Sequence, residues 1–271
     1  MDLGATLVVE LLALGAAVGF LAGLLGIGGG MVMVPIMTLL LTQRGVPAPL
    51  AVKMSIATSM ATIMFTSLSS VRAHHRLGAV RWEIARAMAP GIVTGGLLAG
   101  AGAFALLKGQ GLALLFAAFI GYSALKMMRN TAPRPGRQLP GAWAQAGVGV
   151  GIGFASALLG AGGAFMSVPF MTWCNVPPRQ AVATAAAIGF PIALASTAGY
   201  LISGRDLAPA LPGAFGYLYL PALAVVSVAS VTLAPVGART AQRIDVTLLK
   251  RLFALMLLAL AASMLRQAFA T

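Results

Sequence analysis

The chain has 271 residues, 59% of them hydrophobic and 8% charged, with a mean hydropathy of +0.95; one water-soluble globule cannot hide that much apolar surface, so the chain belongs in a bilayer. Its formal charge of +13 does not point to nucleic acid, because Lys and Arg gather in short polar segments between long apolar runs, as in the positive cytoplasmic loops of membrane proteins. The single cysteine, Cys174, excludes an intrachain disulfide and is expected to be a small buried apolar side chain.

Met1-Asp-Leu-Gly-Ala has no basic residue before the first apolar run, unlike a secretory signal, so residues 3 to 25 are expected to be a retained membrane helix. The run is long enough to span roughly 30 Å of hydrocarbon at ~1.5 Å per residue. Gly15, Gly19 and Gly23 recur every fourth residue, which suits close helix packing. Glu10 is the one acid inside an apolar run. An intramembrane carboxylate costs at least about 2.5 kcal/mol, which makes Glu10 a candidate for proton coupling unless its nearness to the terminus carries it to the interface.

The next stretch, Gly26-Ile-Gly-Gly-Gly-Met-Val-Met-Val-Pro35, falls where a helix ought to continue. Glycine disfavours a helix interior and proline lacks the N–H a helix needs, so a backbone break at membrane depth is expected, prolines included. Met31 to Leu41 is then about half a span, a half-helix or re-entrant element. A Pro- and Gly-bearing turn, Thr42 to Pro49, leads to Leu50–Val71, where Lys53, Ser55, Thr58, Ser59 and Thr62 must face protein or water. The basic segment from Arg72 to Arg81 should be cytoplasmic. Its His74 and His75 suit a solvated surface pair better than a metal site. Ile84–Leu107 and Leu112–Met128 are two further spans, joined by a turn at Lys108, and Arg129, Arg134 and Arg137 stand among prolines in a basic linker.

The second half repeats the order. Gly160-Ala-Gly-Gly-Ala-Phe-Met-Ser-Val-Pro169 returns 134 residues later (160 − 26), and Val46-Pro47 matches Val176-Pro177 at 130 (176 − 46). Around the motif lie spans Trp143–Leu159, a short helix to Thr172, a turn at Asn175 and Gln180–Ile202; after a loop with Arg205 and Asp206 come Phe215–Ala238 and Asp245–Leu265. Charge density flips between equivalent loops: Arg72, Arg76 and Arg81 correspond to Arg205 with Asp206, and Lys108 corresponds to Arg239, Arg243, Lys250 and Arg251. Equivalent loops therefore lie on opposite sides. The expected fold is all-α and polytopic in the inner (cytoplasmic) membrane: two inverted repeats of about five helical segments, 1–130 and 142–271, joined by a cytoplasmic linker at 131–141. Both termini would lie outside.

The doubled motif, Gly28-Gly-Gly30 with Pro35 and Gly162-Gly163 with Pro169, each followed by a Pro turn and an Ala-Val helix start, resembles the sulfite exporter TauE/SafE family, also called four-toluene-sulfonate uptake permeases. The resemblance covers nearly the whole chain, with Ala161 and Ala164 departing from a fuller glycine run. It implies a permease for small anions: sulfite, sulfonates such as sulfoacetate, and related organosulfur or carboxylate compounds.

A glycine break exposes N–H groups at the start of the following half-helix, where the helix dipole adds partial positive charge. Two such ends, Gly28, Gly29, Gly30 and Met31 in the first half and Gly162, Gly163, Ala164 and Phe165 in the second, would meet as an anion site. Ser55, Thr58, Ser59 and Thr184 could complete it, with Lys53 or Arg179 attracting the anion; the alternatives are close crossing for the glycines and interhelical bonding or snorkelling for the rest. Asn175 serves equally as a turn residue. An enzyme would need a nucleophile, base or metal cluster that the apolar segments do not offer, and a dinucleotide site would need a preceding strand and a following acid. No cofactor, metal or nucleic acid is expected. The expected partners are a small organic or inorganic anion and the lipid bilayer, with a homo-oligomer left open. The competing function is a membrane scaffold or assembly subunit.

Overall fold

The computed structural model describes residues 5–25, 29–128, 138–240 and 246–269. Ten helices account for nearly all of them: α1 (Ala5–Leu25), α2 (Gly30–Gln43), α3 (Ala48–Arg76), α4 (Trp82–Leu106), α5 (Gly109–Met128), α6 (Ala142–Leu159), α7 (Ala164–Trp173), α8 (Pro178–Gly204), α9 (Leu220–Thr240) and α10 (Val246–Phe269). Seven are long and apolar enough to cross a membrane, while α2 and α7, with 14 and 10 residues, are too short. The chain is an all-α multi-pass membrane protein.

Local sequence explains the boundaries. α3 and α8 both start on a Pro pair of positions, with Pro47 and Pro177 as N-caps at nearly the same dihedrals (φ −52, ψ 133 and φ −53, ψ 136), since proline presets the φ of an entering chain. α4 widens into a π-turn at Ala99–Ala103. Side-chain-free Gly100 lets α8 approach there, and Ser203 on α8 donates its hydroxyl to the Gly100 carbonyl at 3.0 Å. The expected helix from Phe215 begins only at Leu220. Positive φ at Gly213 and Gly216 bends residues 214–219 into a two-stranded hairpin instead, β1 (Ala214–Phe215) against β2 (Leu218–Tyr219).

Helix partners come from both halves of the sequence. Gly15, Gly19 and Gly23 of α1 meet Val226, Ser230 and Ala234 of α9 in that order, so the two run parallel at backbone contact. Gly91 and Gly95 of α4 meet Ala146 and Val150 of α6 in the same way. α3 runs parallel to α9, with Thr58 bonded to Tyr219 and Thr66 to Ser230. α4 runs parallel to α8, with Arg81 bonded to Thr184 and Gly100 to Ser203. α4 itself returns antiparallel to α3, because Lys53 near the start of α3 reaches Ala105 near the end of α4. Two three-helix bundles of opposite sense result, α1–α3–α9 and α4–α6–α8, which meet along α3 and α8. α5 and α10 pair antiparallel, Gln110 with Ala268 and Gly121 beside Ala261.

The two ends of this assembly differ in charge. One carries Arg72, Arg76, Arg81, Arg86, Lys126, Arg179 and Arg239 together with Trp82, Trp143 and Trp173, which are the aromatic residues favoured at a membrane interface. The other carries Arg44, Lys53, Lys108, Arg205 and Arg266. Arg129, Arg134, Arg137 and Arg243 lie outside the described residues, as does most of the expected linker.

Candidate functional site

Both short helices open on a glycine in the left-handed region, Gly29 at φ 71 and Gly163 at φ 75. A Cβ on either would also collide with a neighbour, the Val18 side chain at 2.4 Å or the Ile192 side chain at 2.3 Å. Each glycine carbonyl accepts the first two turn bonds, from Val32 and Met33 in α2 and from Met166 and Ser167 in α7. The amides of Gly162, Ala164 and Phe165 donate to none of the described residues, so the start of α7 is a set of free N–H groups at a positive dipole end. Gly26, Ile27 and Gly28 lie outside the described residues, and with them the predicted role of Gly28.

The interruptions are narrower than expected. Pro35 and Pro169 do not break the chain; each lies inside its short helix, at the sixth residue. At that position each proline forfeits the intrahelical bond to the carbonyl four residues back, a real cost that the short helix nevertheless accommodates without ending. The breaks come into direct contact at the bundle seam. A Cβ on Gly30 would lie 2.0 Å from the Gly160 carbonyl oxygen, to which Ser59 also donates its hydroxyl at 3.2 Å.

Beside this contact is a small, partly open cavity with room for about one water molecule, between α1, α3, the Gly160–Gly163 turn and α8, with Ala22, Thr66, Ser67, Ser70, Gly162 and Gly189 among its lining residues. The Thr66 hydroxyl bonds the Thr62 carbonyl and the Ser230 hydroxyl, and Ser67 donates to the Met64 carbonyl. Ser70 is buried with its hydroxyl unpartnered. Ser70 is therefore a neutral donor without an acceptor among the described residues, the unengaged Gly162 amide belongs to a residue of the same lining, and the lining residues carry no charged side chain. O–H and N–H groups of this kind bind the oxygens of a small anion once the bundles part enough to admit one.

Several residues singled out from sequence lie elsewhere. Thr58 accepts the backbone N–H of Tyr219 and Thr184 accepts that of Arg81, both at 3.0 Å. Each caps the entry of a helix from the other half, so the two hydroxyls join the halves and do not line the cavity. Ser55 is fully buried, unpartnered and outside it. Met31 and Ala164 are buried in the core, and the Phe165 ring packs edge-on against Phe119. The lining hydroxyls one to three turns further along α3 were not singled out, although Ser59, Thr62, Thr66 and Ser70 form one stripe at helical spacing that could have shown them.

The charged candidates sit at the ends. Glu10 pairs with Arg44 at 3.0 Å, both partly exposed, near the starts of α1 and α3. Lys53 donates to the Ala105 carbonyl at 3.1 Å and stands beside the Phe104 and Tyr217 rings; burial pushes the Tyr217 phenol above its usual range, so that ring stays neutral. Arg179 is exposed at the start of α8, and Asn175 takes the left-handed turn conformation at φ 63. The histidines are not a solvated pair: His74 is buried, whereas His75 accepts from the Trp82 indole at 3.2 Å. Cys174 is buried.

Comparison with known proteins agrees with this architecture. A family model described as "Sulfite exporter TauE/SafE" matches residues 11–264. A probable membrane transporter protein of Haemophilus influenzae is 34% identical over 262 residues, covering 96% of this chain and 98% of the relative. A probable membrane transporter protein of Bacillus subtilis, YunE, is 29% identical over 73% of this chain and 79% of its own, and one of Methanocaldococcus jannaschii is 24% identical over 87% and 86%. No solved structure matches the chain.

Proposed function

We propose, because the chain belongs to the sulfite exporter TauE/SafE family, that it is a secondary transporter moving a small oxyanion such as sulfite or a sulfonate across the cytoplasmic membrane. The observation that carries this reading is the small cavity at the seam of the two bundles, lined by Ser70, whose buried hydroxyl has no acceptor among the described residues, and by Gly162, whose amide donates to none of them. Supporting it, α3 and α8 hold the same place in the two sequence copies and run in opposite senses, as do α5 and α10. Inverted repeats with interrupted helices at the midplane are the plan on which many secondary transporters alternate access. Neutral donors suit the task, since a transported ion has to leave as readily as it enters.

The test is uptake into proteoliposomes together with thermal stability in sulfite, methanesulfonate, sulfate and a dicarboxylate. A ligand that binds only the folded state at 100 times its Kd adds about 2.7 kcal/mol to apparent stability. Saturable flux of an anion that also stabilises the protein is expected. Flux no greater than in empty liposomes, with no stabilisation by any of the four, would leave the scaffold or assembly-subunit reading in its place.

A further inference from the structure

The Lys53 ammonium lies 5.6 Å from the Phe104 ring centre and 5.4 Å from that of Tyr217, besides its bond to the Ala105 carbonyl. Phe104 packs in turn on Tyr200 at 4.4 Å. These side chains come from both sides of the seam: Lys53 from α3, Phe104 from α4, Tyr200 from α8 and Tyr217 from the hairpin that feeds α9. The hairpin itself crosses the seam, since a Cβ on Gly216 would lie 2.6 Å from the Gly204 carbonyl oxygen at the end of α8. All of this closes the sparsely charged end. The cavity lies in the other half of the bilayer, its nearest α3 residue, Ile63, about 15 Å along the helix from Lys53 at ~1.5 Å per residue.

The two copies differ at the positions that matter. At the 130-residue interval (178 − 48) that relates the starts of α8 and α3, Lys53 corresponds to Ala183 and Tyr200 to Ser70. Where the sparse end holds a long cation and a phenol ring, the basic end holds a methyl group and a small hydroxyl. The space occurs at the basic end.

We propose that Lys53, Phe104, Tyr200 and Tyr217 are the gate at the sparsely charged end, closed in this structure, so that the cavity communicates with the basic side alone. The proposal rests on the transporter reading of the same cavity. While the gate is shut, the ammonium is satisfied by the Ala105 carbonyl and two ring faces. When the bundles part it loses the carbonyl and faces the passage that an anion would enter. Lys53 is thus a gating residue and not part of the binding cavity.

Cysteine accessibility tests this. In a Cys174→Ser background, Ser67→Cys reports on the cavity, and a membrane-impermeant methanethiosulfonate ammonium reagent is added to intact cells or to inside-out vesicles. With Lys53 in place, labelling is expected from the basic side only. Lys53→Met, which keeps the stem and removes a charged hydrogen bond, should raise labelling from the sparse side about tenfold or more, as a bond of that kind shifts a two-state population. Tyr217→Ala should do the same, and Lys53→Arg should not. Unchanged sparse-side labelling in both Lys53→Met and Tyr217→Ala, with each variant monodisperse and still labelled from the basic side, overturns the gate. A failure of the transporter reading shows differently, as absent anion flux with the labelling pattern intact.

Discussion

Four glycines of α6, at 147, 149, 151 and 153, offer a test of the bundle architecture within a single helix. Gly149 and Gly153 face α4: a Cβ would lie 2.5 Å from the Met88 carbonyl oxygen in the first case and 2.3 Å from that of Ile92 in the second. Gly147 and Gly151 lie on the other face, exposed, with no atom within 4 Å. Real Cβ contacts stay beyond 3.0 Å, so alanine at 149 or 153 must push α4 and α6 apart by at least 0.5 Å (3.0 − 2.5) or 0.7 Å (3.0 − 2.3). The nearest neighbours are backbone atoms that cannot swing away, and overpacking of this kind costs about 1–3 kcal/mol. Alanine at 147 or 151 should be neutral to within about 0.5 kcal/mol, because helices remain formed in the membrane-unfolded state and propensity gains mostly cancel. The assay is reversible SDS unfolding in mixed micelles for all four Gly→Ala variants. The expected pattern alternates along the sequence, tolerated at 147, costly at 149, tolerated at 151 and costly at 153. Equal tolerance at all four positions would refute the backbone contact between α4 and α6, and with it the bundle that carries one wall of the cavity.

The site makes further predictions. Ser70→Ala should weaken anion uptake by about 10- to 100-fold in apparent affinity, the effect of one hydrogen bond to a charged group, whereas Ser55→Ala should leave uptake unchanged; transport kinetics in proteoliposomes separate the two. Thr58→Val and Thr184→Val should each cost about 1 kcal/mol of stability through loss of a helix cap, with substrate affinity unaltered, as measured by SDS unfolding and uptake. Glu10→Gln should change stability by less than about 1 kcal/mol, since its partner Arg44 is partly exposed, and should leave the pH profile of uptake as it is in the parent protein. Loss of pH dependence in that variant would return Glu10 to a coupling role.

Much of this fold was legible because the chain states it twice. The glycine runs at 134-residue spacing, the paired Pro turns and the hydrophobic spans placed every long helix and both short ones. The glycine contact pairs at 15, 19 and 23 and at 91 and 95 were also readable, although their partners were not, since nothing local says that α1 lies on α9 and not on α2. The hairpin at 214–219 was lost in an apolar run whose Gly213 and Gly216 looked no different from glycines inside spans. The candidate site was legible in kind but shifted in place. Hydroxyls at 58 and 184 looked free in sequence because their acceptor role depends on the N–H groups of Tyr219 and Arg81, more than 100 residues away. Ser70 stands two residues before the basic segment that begins at Arg72, a place that in sequence does not mark it as interior, although burial keeps its hydroxyl there.

On the proposed anion-transport reading, the distribution of charge follows from what a passage must do. A fixed cation 4 Å from a bound monoanion, at an effective dielectric constant of about 20, would hold it by roughly 4 kcal/mol, enough to slow release about a thousandfold. An interior lined by Thr66, Ser67, Ser70 and Gly162 avoids that trap while still offering hydrogen bonds to replace part of the anion's hydration. Cations are then useful only where an anion passes without staying, at the two mouths. There the chain has placed them: the basic segments at one end, and Lys53, held by a carbonyl and two rings, at the other. A lysine or arginine introduced at Ala186, on the cavity wall, should accordingly tighten anion binding and slow turnover together, a combination that a passive helix-packing role for this seam does not produce.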